Sequence, residues 1–313
     1  MSEHTINRRD WLAAAGLGGL GLARPASATT REPRPSPFRF GLNTSTISGQ
    51  GLPIAQVVDL AARAGYQAIE PWTKELDAHV AGGKTLDDLG RRLKGGGLAV
   101  ESVIGFFEWA VDDDARRQKA LEDARRDFAK VKAIGGTRIA APPFGATERA
   151  DLDLRRVADR YRELCRVGRE FGVVPEIEVW GFSKSITTLG EAVQVAVGSG
   201  VPEACVLADV YHLYKGGSDA AGLNLVAPRM LKVMHMNDYP AIDRPKIADS
   251  DRVFPGDGVA PLGSILRGLR DAGAEVVLSL EVFNRAYWKR DAGAVLAEGL
   301  AKMKASVAKA LAT

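Results

Sequence analysis

Four metal-competent side chains close four successive short apolar runs: Glu178 in PEIEVW, Asp209 in CVLADVYH, His235 in KVMHMND and Glu281 in VVLSLEVF. Each run has the length and composition of a β-strand, and a helical pattern separates each from the next. Three carboxylates and an imidazole make a mixed oxygen and nitrogen donor set, suited to a hard or borderline divalent cation. Without a counter-charge the three carboxylates would repel one another strongly, and a cation relieves that repulsion. One such residue alone would mean little. A glutamate in a strand usually sits at an edge or on the surface, and a single histidine is more often a hydrogen-bonded core group. Four in succession, all in one inward register, point to a metal-dependent enzyme acting on a small oxygen-rich substrate. Mn²⁺, Mg²⁺, Co²⁺ and Zn²⁺ all suit the donor set, so one divalent ion of unspecified identity is expected.

Such a site needs strands that bring their carboxyl ends together. From residue 38 onwards strand and helix patterns alternate. Strands are predicted at 38–42, 68–70, 99–104, 138–141, 173–179, 206–210, 232–236 and 276–282. Helices are predicted at 53–64, 85–94, 113–134, 152–171, about 220–227, 261–272 and 291–311, with another opening at a Thr188/Glu191 capping box. Eight strands in this pattern predict an α/β fold, a (β/α)8 TIM barrel in one domain at 38–313. An open doubly wound sheet would usually carry a glycine-rich turn after the first strand, and Asn43-Thr44-Ser45 stands there instead. Parity supports the barrel. In the last strand Val276, Leu278, Leu280 and Val282 share one face, while Ser279 and Glu281 share the other. The first face suits packing under helices, and the second suits a barrel interior opening onto a site. Glu178 and Trp180, and likewise His235 and Asn237, share inward faces in their own strands.

The chain has 313 residues, 46% of them hydrophobic, which is enough for one substantial core. Its 42 basic and 39 acidic residues give a formal charge of only +3. No basic stripe marks it for nucleic acid. Cys165 and Cys205 lie in segments expected to be buried and read as free thiols. At the N-terminus Arg8-Arg9 precedes a glycine- and alanine-rich apolar stretch at 12–23, and Ala26-Ser27-Ala28 follows. The pattern is that of a twin-arginine signal over residues 1–28, cleaved after Ala28, with a proline-rich linker at 29–37. The expected location is the periplasm, reached in the folded state. The apolar stretch is too short for stable membrane insertion. Self-association into a homo-oligomer is left open.

Several other residues sit where a substrate would. Glu70 and Trp72 end the second strand at the mouth, where Trp72 either stacks on a sugar ring or packs. Phe106-Phe107-Glu108-Trp109 reads as an aromatic wall or lid. Arg252, before Pro255-Gly256-Asp257-Gly258, either binds a substrate oxygen or pins its own loop.

Over roughly residues 38–311 the chain resembles the xylose isomerase-like barrel superfamily, and within it the inosose (2-keto-myo-inositol) isomerases. The stretches that carry the resemblance are Asp209-Val210-Tyr211-His212, His235-Met236-Asn237-Asp238, Asp251 through Val259, and Leu280-Glu281-Val282-Phe283 with Tyr287-Trp288. The resemblance implies that Glu178, Asp209, His235 and Glu281 bind the metal. It implies also that Glu178 and Glu281 form the acid/base pair, and that His212 contacts a carbohydrate or cyclitol substrate. The reaction would move a proton next to a ketone through an enediolate, whose negative oxygens a cation stabilises. The alternative in the same barrel is a lyase or dehydratase acting on a 3-keto-glycoside or keto-inositol, expelling a β-leaving group. A nuclease of the same superfamily would need more histidines than the four present. A non-catalytic sugar-binding protein would not be expected to keep both acid/base glutamates.

Overall fold

A computed structural model describes residues 36–226 and 228–312. The export-signal reading, and the linker reading up to residue 35, concern residues outside that range. Eight strands are described: β1 (Phe38–Asn43), β2 (Ala68–Glu70), β3 (Ala99–Val100), β4 (Arg138–Ala141), β5 (Val174–Glu178), β6 (Cys205–Asp209), β7 (Leu231–Met236) and β8 (Val276–Leu280). All pair in parallel, in the order 3-2-1-8-7-6-5-4. The ring closes through Val103, whose N–H donates to the Arg138 carbonyl (3.1 Å) and whose carbonyl accepts from Ala140 (2.8 Å). The predicted TIM barrel is the observed fold.

The barrel wall has two faces, as the alternation requires. Val276, Leu278 and Leu280 belong to the large core beneath the helices. Burying each such side chain contributes about 1.5–3 kcal/mol. Val277, on the opposite face, joins Ala68, Ile104, Ala140, Leu207 and Val233 in a small inner cluster. The helices form where caps and apolar spacing agree. Helix Leu154–Arg169 starts at Asp153, whose carboxylate accepts from Arg155 N (2.9 Å), and buries Val157, Tyr161, Leu164 and Gly168 along one stripe. The Tyr161 hydroxyl donates to the Pro175 carbonyl (2.7 Å) and ties that helix to β5. The Thr188/Glu191 capping box is present, and both cysteines are buried free thiols.

Some elements differ from expectation. The third strand is predicted over 99–104 but forms a ladder only at Ala99–Val100. Beyond it, Val103 bonds to β4 while Ile104 bridges Trp72. The helix predicted near 220–227 is a 3-10 helix, Ala220–Leu225. Helix Val210–Gly216 starts directly at the end of β6, with no turn residues to announce it. Asp209 is its N-cap, accepting from His212 N at 2.9 Å. No helix among the described residues is long and apolar enough to cross a membrane.

Candidate metal centre and active site

The four residues singled out by type and spacing meet at the carboxyl ends of adjacent strands. Glu178 and Asp209 are the last residues of β5 and β6, His235 lies near the end of β7, and Glu281 directly follows β8. All four are buried. The register places Asp209 opposite His235, and His235 opposite Ser279. His235 Nδ1 stands 3.1 Å from Glu281 Oε2, 3.5 Å from Asp209 Oδ2 and 3.8 Å from Glu178 Oε1. That nitrogen makes no well-formed hydrogen bond although it is buried. Asp209, His235 and Glu281 form the tightest group, with ligand atoms all within 4.8 Å of one another, and Glu178 stands slightly further out. An unbonded imidazole nitrogen facing carboxylate oxygens from three other strands fits a divalent cation with O/N ligation.

The opposite nitrogen is held from below. His235 Nε2 lies 2.9 Å from Glu70 Oε2, which also accepts from Asn43 Nδ2 and Ser279 Oγ, both at 2.9 Å. Glu70 is expected to contact substrate; its carboxylate is buried, Oε2 is occupied by groups from β1, β7 and β8, and Oε1 is buried without a partner. In this position Glu70 fixes the imidazole so that Nδ1 faces the carboxylates, as carboxylate–histidine pairs do behind metal ligands. Burial pushes its carboxyl up, but the charge of His235 and the three hydrogen bonds outweigh this and hold it below the usual value. The sequence marks Asn43 only as a departure from a glycine-rich turn. Its Oδ1 also accepts from Trp72 Nε1 at 2.9 Å. Asn237, two residues after His235, donates to Asp209 Oδ2 at 3.1 Å.

Arg252 lies on the far side of the quartet and is 1% exposed. Its Nη1 donates to Asp209 Oδ2 (3.0 Å) and Glu281 Oε2 (2.7 Å), and its Nη2 donates to Asp249 Oδ1 (2.6 Å). The loop bearing it is fixed by paired backbone bonds between Asp238 and Val253. The Asp238 carboxylate also accepts from Gly256 N and Ala260 N. Arg252 thus pairs with carboxylates at the cavity floor while its Nε keeps no partner and its side chain lines the cavity. Burial pushes the Asp209 carboxyl up, but Arg252, His235 and His212 together outweigh this and hold it well below the ordinary range.

His212 sits between two donors, Gly181 N at 3.3 Å from Nδ1 and Arg252 Nη2 at 3.2 Å from Nε2. Burial pulls the ring down to about 4, so it is neutral near pH 7. A neutral imidazole has one acceptor nitrogen and cannot satisfy both. Gly181 itself leaves no room for a side chain. A Cβ there would lie 2.3 Å from the His212 carbonyl oxygen and 2.6 Å from Gly216 N. Gly181→Ala is therefore expected to destabilise the fold by about 1–3 kcal/mol. A thermal midpoint equal to that of the parent would contradict this close approach.

Glu178 differs from its neighbours in having no cation in hydrogen-bonding contact, and burial pushes its carboxyl from 4.5 up to about 8. A carboxyl raised in this way binds its proton more tightly folded than unfolded. Its contribution favours the folded state below the unfolded value and is lost as pH rises from about 4.5 to about 8. Chelator-treated protein should lose stability across that window in denaturant titrations, and Glu178→Gln should flatten the loss. An unchanged slope in the variant would count against the buried position of this carboxyl.

Above the quartet opens a cavity of about 480 Å³ whose lining includes Glu178, His212, Arg252 and Glu281. Trp72 lines it, 5.3 Å from Phe106 and 6.2 Å from Phe283 between ring centres. Of the expected aromatic wall only Phe106 reaches the mouth, because Phe107 and Trp109 are buried in the outer core.

A parallel eight-stranded barrel with acidic and imidazole side chains at its carboxyl-end mouth is the architecture of an enzyme site. The profile of the family described as "Xylose isomerase-like TIM barrel" matches residues 58–306, and the chain belongs to that family. It is 21% identical over 238 residues to the inosose isomerase of Halalkalibacterium halodurans, covering 75% of this chain and 84% of that one. It is 26% identical over 264 residues to a putative hydroxypyruvate isomerase of Streptomyces coelicolor, covering 78% and 90%. Among solved structures, the IOLI protein with a bound zinc atom superposes with a TM-score of 0.81 at 19% identity, covering 87% of this chain and 98% of that one. Its relatives thus include isomerases.

Proposed function

We propose that the protein is a metal-dependent isomerase or epimerase that moves a proton at a carbon next to a ketone of a sugar, keto-sugar or keto-inositol. The reading rests on one observation. A buried imidazole nitrogen without a hydrogen-bond partner faces oxygens of Glu178, Asp209 and Glu281 within 3.8 Å. Glu178, Asp209, His235 and Glu281 would hold the ion, which when bound polarises a neighbouring carbonyl oxygen as a Lewis acid. The zinc in the related IOLI structure supports zinc as one candidate beside manganese, magnesium and cobalt.

The chain's own residues supply the rest. Glu178 and Glu281 reach the cavity from β5 and from the end of β8, with β6 and β7 between them. One can take the carbon-bound proton while the other returns it, to the neighbouring carbon for isomerisation or to the opposite face for epimerisation. Arg252 keeps a permanent positive charge beside the carbonyl oxygen on which negative charge develops. His212 is neutral and can turn its protonated nitrogen toward a substrate hydroxyl. Trp72 offers an aromatic face beside the ring. Export by the twin-arginine route is part of the proposal, tested by comparing cell fractions of the parent with those of an Arg8→Lys/Arg9→Lys variant.

The experiment incubates metal-loaded protein with keto-inositols and 3-keto-sugars in D₂O and follows the products by NMR. Deuterium is expected at the carbon beside the ketone of at least one substrate, and treatment with a chelator should abolish it. A rearranged or epimerised product supports the reading, whereas a new double bond or a released group would assign the lyase chemistry instead. Absence of exchange across the panel would contradict both.

A further inference from the structure

Beyond the carboxylates, the mouth carries a second feature that proton transfer does not use. Six aromatic rings form a connected series there, five of them lining the cavity. Phe283 lies 6.2 Å from Trp72, Trp72 5.3 Å from Phe106, Phe106 6.0 Å from Trp180 and 5.6 Å from Phe144, and Trp180 5.0 Å from Phe182. The outermost two are not buried, Phe182 being 47% and Phe144 40% exposed. Aromatic surface left in water at the rim of a cavity with a charged floor marks a binding face.

These exposed rings are held in place. The loop with Phe144 and the loop with Trp180 and Phe182 are hydrogen-bonded together. Lys184 N donates to the Thr147 carbonyl (2.6 Å), and Ser185 Oγ donates to the Ala146 carbonyl (2.9 Å). Within the second loop Trp180 N donates to the Ile186 carbonyl at 3.3 Å. Ile186 is fully buried and adopts a φ of 50°, a region that β-branched residues avoid.

Phe283, Trp72, Phe106, Trp180 and Phe182 line one cavity of about 480 Å³ together with Glu178, His212, Arg252 and Glu281, and Phe144 flanks Phe106 outside that lining. A single keto-hexose or cyclitol carries hydroxyls around its whole rim and could reach the floor. It would leave Phe182 in water. We infer that the substrate is a glycoside, whose keto-sugar ring meets the carboxylates while a second ring with an apolar face, carried as the aglycone, lies against the aromatic arc. That second ring is an aryl group or another sugar, since both present a face that stacks on aromatic side chains. The inference rests on the proposed function for the placement of the keto-sugar ring.

Its test is a binding measurement that needs no turnover. The full chain loaded with Mn²⁺ is titrated with methyl β-D-glucopyranoside, phenyl β-D-glucopyranoside and cellobiose, none of which carries a ketone to react, and tryptophan fluorescence is followed. At least one two-ring probe should bind about ten-fold tighter than the methyl glucoside, and the tighter of the two identifies the second ring as aryl or sugar. In Phe182→Ala the ratio of dissociation constants should fall to within about two-fold, and Phe182→Tyr should restore it. Both variants change a half-exposed side chain, and thermal unfolding verifies that they fold. Two-ring probes that bind no tighter than the methyl glucoside, or fail to bind, overturn the inference, as does a ratio untouched by Phe182→Ala. Deuterium exchange can fail while this ratio holds, and the reverse, so the two ideas fall separately.

Discussion

Glu281→Gln should lower solvent-deuterium exchange by about 10²–10⁴-fold, the range that a general acid or base contributes. Glutamine keeps the volume of the side chain and an oxygen able to accept from Arg252 Nη1, which now lies 2.7 Å from Glu281 Oε2. The fold and the cavity floor should therefore persist, and the thermal midpoint should stay close to that of the parent. What is lost is a carboxylate able to carry a proton. Metal content measured on the same sample separates a missing proton carrier from a missing ligand. Full exchange in this variant would remove Glu281 from the acid/base role.

The second large effect is expected at a residue that touches neither substrate nor ion. Glu70→Gln should weaken metal affinity about 10–100-fold, as changes behind a ligating histidine do. The carboxylate makes the imidazole a stronger donor at Nδ1 by taking up the Nε2 proton's charge, and glutamine can accept that bond without supplying the charge. Competition against a chromogenic chelator measures it. A Glu70 that contacted substrate would give the opposite split, a raised KM with metal affinity intact. The two roles are thus told apart by one variant.

The quartet was legible because a barrel strand alternates strictly, so a carboxylate at the end of an apolar run must face the mouth or the helices. Glu281 shares parity with Ser279 and so points inward. Glu70 obeys the same rule and looked equivalent. Its separate role depends on Asn43, His235 and Ser279 converging on one oxygen, and those residues are neighbours only once the ring has closed. The position of Arg252 was hidden for a related reason. It lies in a loop whose path is set by Asp238 accepting from Gly256 and Ala260, contacts with no periodicity to read. Helix Val210–Gly216 escaped notice because Asp209 ends a strand and caps a helix at once. The third strand is shorter than 99–104 predicts, because Glu101 and Ser102 interrupt the apolar run and the pairing beyond them splits between β4 and Trp72.

The most direct test is a crystal of protein grown with Mn²⁺ or Zn²⁺, with anomalous diffraction collected at the metal's absorption edge. One strong peak is expected within bonding distance of His235 Nδ1 and of oxygens from Asp209, Glu281 and Glu178, with His235 Nε2 still on Glu70. A saturated crystal with no peak there, or with the ion bound at other residues, would contradict the metal centre and the chemistry derived from it.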